Sequence, residues 1–551
     1  MPRFVIGNIY VIASIAVVGG GLFGFDIASM SGILGTAGYK CYFNQGPEGP
    51  PFNDNENCSG PKSLVQGGIT ASMAAGSWAG ALISGYMSDW LGRKMSIILG
   101  CLFWIAGSTV SAASQNIGML IGGRILNGVS VGIESAQVPV YVSELAPPSK
   151  RGRLVGLQQM AISCGIMTMY YISYGGAHIG GQTSSTYNPL SFRVPWAIQM
   201  VPAIYLMIGM TFLPESPRWL AKKDRWEECK AVLTLVHGKG NPDHQLVVLE
   251  LAEINVACEL ERQFGDVTYW ELFKPKMINR TIIGAFDQIW CQLSGMNLMM
   301  YYVTFVFGMA GYKGNSNLLA SSIQYVINVV MTIPALIWVD RWGRRPTLMV
   351  GSIGCAIWMF ASGGVLGTYG TFVPGGVNGV AEQSMLISGA PAKALIAFTY
   401  LFVGTFATTW SPVSWIYPPE LFPLRVRGKA VALSTSANWA FNTALGLFVP
   451  VAFVNIQWRT YLIFGTFLIA SFIHVFFFFP ETSGKTLEEV EGIFEDPHGI
   501  KYLGTPAWKT HKETKRASAL ERNSIDASEL EAWKAESKPV EAATVVHQEV
   551  A

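Results

Sequence analysis

Stretches of roughly 20 residues with almost no charge recur along the whole chain, about twelve in all, each long enough to cross a hydrocarbon core of about 30 Å as an α-helix. No water reaches that layer, so a backbone there must satisfy its own hydrogen bonds, and a run of this length does so as a helix. The stretches fall near residues 8–34, 65–88, 95–114, 117–140, 154–178, 192–213, 279–309, 318–339, 346–368, 391–419, 429–454 and 458–479. With 50% hydrophobic and 13% charged residues in 551, the chain is too apolar for an ordinary soluble enzyme. The first stretch has only Arg3 ahead of it and no small-residue cleavage site behind it, so it reads as a retained helix and not a signal peptide.

Loop charge sets the expected orientation. Arg93, Lys94, Lys150, Arg151, Arg153, Arg341, Arg344, Arg345, Arg425, Arg427 and Lys429 fall on one side, against Lys40, Lys62, Arg193, Lys313, Lys393 and Arg459 on the other. Basic flanks resist translocation, which predicts that both termini are cytoplasmic. Residues 214–278 turn charged with a helical pattern and are expected to link an N-terminal half, 1–213, to a C-terminal half, 279–480. The polar segment 481–551 reads as a cytoplasmic tail, too poor in apolar surface to fold alone. A net charge of +2, with no basic patch interleaved by aromatics, gives no reason to expect nucleic acid as a partner. The lipid bilayer is the partner that composition demands.

Short motifs then appear twice. "DWLGRK" at 89–94 returns as "DRWGRR" at 340–345, "ELAPPSKRG" from Glu144 as "ELFPLRVRG" from Glu420, and "PESPRW" from Pro214 as "PETSGK" from Pro480. Matching places in two six-span groups indicate a duplicated unit. Parallel repeats of this kind, related by an axis along the membrane normal, describe the major-facilitator arrangement, in which two halves rock about a central site. Gly92 and Gly343 supply tight turns that a side chain would obstruct. Asp89, Glu144 and Glu215 with Arg93, Arg151 and Arg218, and Asp340 and Glu420 with Arg344 and Arg427, are expected to form ion pairs at the cytoplasmic end. Pairs that form when the inner gate shuts and break when it opens would bias a two-state equilibrium.

"GGGLFG" at 19–24 satisfies a dinucleotide-binding fingerprint but lies inside a span with no strand before it, so helix packing is the better reading. "GKT" at 484–486 lacks the first glycine of a phosphate loop, Phe479 standing in its place. The seven His are scattered, with His474 read as structural, and no catalytic pair, cofactor fingerprint or metal cluster presents itself. The chain does not read as an enzyme. Inside the spans stand instead amides, which both donate and accept and so suit a neutral polyhydroxyl substrate. Gln288 and Gln292 share one helix face. Asn297 follows Gly295, where a glycine loosens the helix. Four ionisable residues also lie there, Asp26, Arg124, Glu134 and Asp287. Each costs about 2.5–3.5 kcal/mol at mid-membrane on insertion scales and so points to function. Of the eight cysteines only Cys41 and Cys58 share the first external loop, so a disulfide is expected there. Asn57 opens a glycosylation sequon in that loop, while the one at Asn279 falls on the opposite side.

"FGFDIASMSG", Gly123-Arg124, "PVYVSELAP", "PESPRWLA", "QLSGMN", "DRWGRR", "NWAFN" and "PETSGKTLEE" together resemble the sugar-porter branch of the major facilitator superfamily, and within it the fungal high-affinity glucose transporters. The resemblance implies an all-α membrane fold of twelve transmembrane helices and a plasma-membrane monosaccharide transporter for glucose, other hexoses or xylose, often coupled to a proton. It implies that Gln159, Gln288, Gln292, Asn297, Asn328 and Asn438 hydrogen-bond the sugar while Trp415 stacks on or covers it. It places Asp26 and Arg124 at positions implicated in proton coupling. Where the family commonly writes a second glutamine before "QLSG", this chain has Cys291, a poor hydrogen-bond partner that bears on affinity and sugar preference. A facilitative uniporter and a transport-inactive sugar sensor are the alternatives.

Overall fold

A computed structural model of the protein describes residues 6–494, except 35, 44–60, 62, 148–150, 180–187, 265–267, 313, 378–381, 424, 484, 486–489 and 491, together with Ala507. Every apolar stretch is helical. The first six spans are Ile9–Ile33, Ser63–Leu91, Arg93–Ala112, Ile117–Leu145, Arg151–Ala177 and Leu190–Thr211. The seventh runs in three pieces, Ile278–Leu293, Met296–Tyr301 and Val303–Met309, and the remaining five are Gly314–Trp342, Arg344–Tyr369, Ala390–Leu421, Arg427–Asn455 and Arg459–Phe478. By length and apolarity alone, nine helices among the described residues qualify to cross a membrane. The second, fifth and seventh spans fall outside that set; they carry polar side chains that face protein instead of lipid, or are broken.

Close packing explains the glycine run. A Cβ on Gly24 of the first span would stand 2.2 Å from the Ile162 carbonyl of the fifth, so these two helices touch backbone to backbone. Without a hydrophobic drive between helices in lipid, such small residues are what let spans associate. Between halves, Trp439 Nε1 of the eleventh span donates to Ser135 Oγ of the fourth at 3.1 Å. The linker forms helices Pro217–Lys222, Trp226–Val236 and Gln245–Phe264 and a 3₁₀ turn, Tyr269–Phe273. Two elements not foreseen lie at the opposite end, a helix Ala37–Tyr42 and a two-residue antiparallel pairing of Thr371–Phe372 with Met385–Leu386. Cys41 is disulfide-bonded, while its expected partner Cys58 and the Asn57 sequon lie outside the described residues.

The duplicated motifs build the same circuit at the basic end of each half. In the first half Gly92 turns the chain at φ 88°, and Arg93 donates to Glu144 Oε1 at 2.9 Å and to the Ser88 carbonyl at 3.2 Å. Ser216 Oγ donates to Glu144 Oε2 at 2.5 Å, and Tyr141 to the Pro214 carbonyl at 2.7 Å. In the second half Gly343 turns at φ 90°, and Arg344 donates to Glu420 Oε1 at 2.7 Å and to the Val339 carbonyl at 3.3 Å. Thr482 donates to Glu420 Oε2 at 2.7 Å, and Tyr417 to the Pro480 carbonyl at 2.8 Å.

Several expected pairings turn out differently. Among the described residues Glu215 meets no arginine head group; it accepts the backbone N–H groups of Arg93 and Lys94 at 3.1 and 3.2 Å, capping the third span where the helix dipole favours an anion. Glu481 does the same for Arg344 and Arg345 at 2.9 and 3.3 Å. Burial pushes the Glu215 carboxyl above its ordinary value, and the Ser216, Lys94 and Arg93 N–H groups oppose that rise. Asp89 pairs with lysines, reaching Lys429 of the other half at 2.6 Å and Lys222 at 3.7 Å. Arg427 donates to the Phe422 carbonyl at 3.1 and 3.3 Å, and Arg218 lies within electrostatic reach of Glu144. The side chains of Arg151 and Asp340 are outside the described set.

These turns are demanding. An alanine Cβ at Gly343 would stand 2.4 Å from a Glu481 carboxylate oxygen, whereas one at Gly364 would meet nothing within 4 Å. Left-handed backbone adds roughly 1–2 kcal/mol for a side chain. Gly343→Ala is therefore expected to lower the apparent melting temperature in detergent while Gly364→Ala leaves it near wild type; equal melting would show that the turn tolerates a side chain.

Candidate functional site

Between the halves, away from both helix-end circuits, lies a cavity. Six of the seven anticipated substrate contacts line it: Gln159, Gln292, Asn297, Asn328, Trp415 and Asn438. Breaks in two helices bring them there. Gly295, at φ 88°, parts Gln292 from Asn297 in the seventh span, and Thr409, at φ −124° and ψ −84°, splits the tenth just before Ser411 and Trp415. Broken helices at membrane depth are tolerated only where they line a cavity or are buried in protein.

One wall is a chain of amides. Asn297 donates to Gln292, Gln292 donates to Asn438, and Asn438 donates to Gln288 Oε1 at 2.6 Å. Gln288, the seventh anticipated contact, does not line the cavity; it stands behind Asn438 and donates to the Ser414 carbonyl. The other wall spans both halves. Trp415 Nε1 donates to Gln159 Oε1 at 3.0 Å, Gln159 donates to Ser163 at 3.3 Å, and Ser163 shares a hydrogen bond with Thr332 at 3.3 Å. Asn328 Oδ1 is buried without a partner among the described residues, an acceptor left open at the cavity wall. Cys291 is at the wall too, its sulfur accepting from Ser414 Oγ at 3.5 Å.

Ser411 and the apolar Phe23, Ile27, Ile162, Ile166, Met296, Met300 and Phe406 complete the lining, and none was anticipated. Phe23 and Ile27, like Ile162 and Ile166, are four apart and share a helix face, but every face of a buried span is apolar, so the spacing carries no signal.

Asp26 and Arg124 meet through both carboxylate oxygens, at 3.3 and 3.0 Å, with the Arg124 Nε donating to the Ile69 carbonyl at 2.8 Å. Both are buried, at 1% and 2% exposure, and both belong to the first half. Contacts between halves occur beyond the cavity at each end. At the basic end Lys429 reaches Asp89, and Tyr269 of the linker donates to the Leu82 carbonyl at 2.8 Å. At the other end Ser31 shares a hydrogen bond with Tyr325 at 3.0 Å, and Tyr170 donates to the Leu318 carbonyl at 3.0 Å. His474 accepts from Trp290 Nε1 at 2.8 Å, in keeping with its structural reading.

A protein-family model described as "Sugar (and other) transporter" matches residues 12–494. The chain is 47% identical over 506 residues to the high-affinity glucose transporter of Kluyveromyces lactis, a match covering 91% of this chain and 87% of that one. It is 44% identical over 522 residues to the MFS glucose transporter mfs1 of Aspergillus flavus, covering 94% of each. Among solved structures, the proton:xylose symporter XylE of E. coli, bound to 6-bromo-6-deoxy-D-glucose, aligns with a TM-score of 0.72 at 26% identity, over 88% of this chain and 98% of that one. The all-α fold and the sugar-porter resemblance are thereby both confirmed, and the helices are those of the twelve-span major facilitator fold.

Asn438 holds the amide wall together. Asn438→Ala strands Gln292 and Gln288 without their shared partner, and leaving a buried polar group unpaired costs about 1–3 kcal/mol. Hexose binding to the purified protein is expected to weaken by roughly one to two orders of magnitude. Unchanged affinity in an equilibrium binding assay would remove Asn438 from the binding wall.

Proposed function

Because the chain belongs to the sugar (and other) transporter family, a family of multi-pass membrane transporters and not of enzymes, we propose that it is a plasma-membrane glucose transporter that carries its sugar together with a proton by alternating access, with both termini in the cytoplasm. The observation that carries this reading is the cavity wall of neutral amides, with the open acceptor of Asn328 and the indole of Trp415 beside it. Amides donate and accept at once, as sugar hydroxyls do. An aromatic face offers apolar area to the sugar ring. Among the described residues no charged one lines the cavity, so an ionised substrate would find no counter-charge from them. The names of the Kluyveromyces and Aspergillus relatives support glucose, and XylE supports a proton as the companion.

Sugar hydroxyls entering the cavity would compete for the amide chain and for the Trp415–Gln159 bond that joins the halves. Rearranging that bond gives the sugar different contacts in the two arrangements, which is what a ligand needs to shift them. Opening toward the cytoplasm requires the Lys429–Asp89 contact to part, and opening outward requires the Ser31–Tyr325 contact to part. Asp26 is the coupling group in this reading: protonation removes its charge and frees Arg124. A membrane potential of about 150 mV is worth roughly 3.5 kcal/mol per charge, and a gradient of about two pH units adds roughly 2.7 kcal/mol. Together they could concentrate sugar about 10⁴-fold, whereas a facilitator only equalises it. Facilitation is the second reading, favoured by the two-point Asp26–Arg124 contact, which suits a permanent ion pair.

Reconstitution into liposomes with an imposed inward proton gradient tests the proposal. Labelled glucose is expected to accumulate above its outside concentration and to leak back when a protonophore is added; saturable uptake that merely equilibrates would make the protein a facilitator, and binding without flux a sensor. Asp26→Asn is expected to abolish accumulation while sparing glucose counterflow. Cys291→Gln puts an amide at the wall where a thiol now stands and is expected to change the ranking of glucose against xylose in competition uptake. An identical ranking would show that this position does not touch the sugar.

A further inference from the structure

Among the described residues, two carboxyls inside the spans have no charged partner, one in each half. Glu134 of the fourth span is fully buried, meets only the Cys101 thiol at 3.8 Å through Oε1, and leaves Oε2 without a partner among the described residues. Its oxygens are wedged against two glycines, since a Cβ on Gly19 or Gly100 would stand 2.6 or 2.4 Å from them. Glu134 is sealed among three helices of a single half. Asp287 of the seventh span is likewise fully buried, and neither of its oxygens has a partner among the described residues.

Among the described residues, the surroundings of Asp287 offer no cation. On its own helix the Cys291 thiol lies one turn on, and from the tenth span comes the Tyr417 hydroxyl, whose proton is already given to the Pro480 carbonyl. The eleventh span turns Asn438 to the neighbouring Gln288, while its Lys429 is held by Asp89 and its Arg427 donates to the Phe422 carbonyl. The twelfth span presents His474, whose Nδ1 is taken by Trp290. A charged carboxylate without donors or counter-charge in such a place is strongly disfavoured, so Asp287 is a neutral acid in this arrangement. Asp26, by contrast, has both oxygens on Arg124.

What sets Asp287 apart from Glu134 is the element that covers it. The Trp410–Leu421 segment of the tenth span is cut from Ala390–Thr408 by the break at Thr409 and carries Pro412, Pro418 and Pro419. Its clasp on the seventh span is made by Gln288, which donates to the Ser414 carbonyl, and by Ser414, which donates to Cys291 at 3.5 Å. Gln288 in turn is bonded to Asn438 of the cavity wall. A sugar that engages Asn438 therefore pulls on the clasp that shuts Asp287 away from water.

We propose that Asp287 is a second proton-carrying site, placed in the C-terminal half, whose acid is covered by the Trp410–Leu421 segment and gives its proton to water when that segment swings off the seventh span. The O–H bond breaks on opening, with the proton passing to water; it re-forms with a proton that enters through the cavity, whose wall at Cys291 is one helical turn away. This rests on the symport reading of the previous subsection and adds to it a group that the Asp26–Arg124 pair does not supply.

The test uses the full-length protein in liposomes, with glucose-induced proton uptake followed by a pH-sensitive dye beside counterflow exchange of labelled glucose. Wild type is expected to take up protons with glucose; if it does not, the symport reading itself falls. With wild type coupled, Asp287→Asn is expected to lose glucose-induced proton uptake while keeping exchange, and Asp287→Glu to recover it. Undiminished proton uptake in Asp287→Asn would overturn the assignment and leave symport standing. Should the Asn variant not fold, Asp287→Glu decides: its pH profile of glucose-driven proton uptake is expected to shift, and a profile matching wild type would overturn the proposal.

Discussion

A bilayer supplies no water to a stranded polar group, and that constraint organises the whole molecule. Each polar side chain inside the spans must find a partner in the protein, be held neutral, or be left open for something that arrives. All three outcomes are present. The amide chain from Asn297 to Ser414 and the Asp26–Arg124 pair are self-satisfied, Asp287 has no partner among the described residues, and Asn328 keeps an acceptor at the cavity wall. A polar cavity that is already internally bonded trades one set of hydrogen bonds for another when a sugar enters. In the proposed transporter, binding and rearrangement of the helices that carry those amides are for that reason coupled.

Duplication solves a second problem, that of ending helices at the membrane surface. A helix start leaves N–H groups unpaired and carries partial positive charge. Glu215 and Glu481 answer it in the same way at the third and ninth spans, and beside them Glu144 and Glu420 each accept from a hydroxyl, Ser216 or Thr482, and from an arginine, Arg93 or Arg344. Each circuit ties one half to the segment that follows it. Polar contacts cross between halves at both ends and at the cavity, Asp89 to Lys429, Ser31 to Tyr325 and Trp415 to Gln159 among them.

The polar residues of the site were legible because a membrane segment is otherwise featureless: an amide or an acid among leucines and phenylalanines stands out whatever the fold. The apolar lining was not, since Phe23 or Ile166 looks the same facing a sugar, a helix or lipid. Gln288 shows the limit from the polar side. It shares a helix face with Gln292 and was expected beside it at the substrate, yet a neighbouring helix places Asn438 in front of it. Asp89 shows the same limit for charge, because its lysine partners come from the linker and from the other half.

By itself the sequence determined the number of spans, their order, the duplication and the polar chemistry available inside the membrane, all of which follow from residue type and periodicity along one segment. Tertiary structure decided which of those polar groups meet. The broken seventh and tenth helices aim Gln292, Asn297 and Trp415 at one cavity, and the packing of spans far apart in the chain gives Asp26 an arginine and gives Asp287 none. Pairing inside a bilayer depends on distances of a few ångströms between helices, and no local pattern in a chain encodes such a distance.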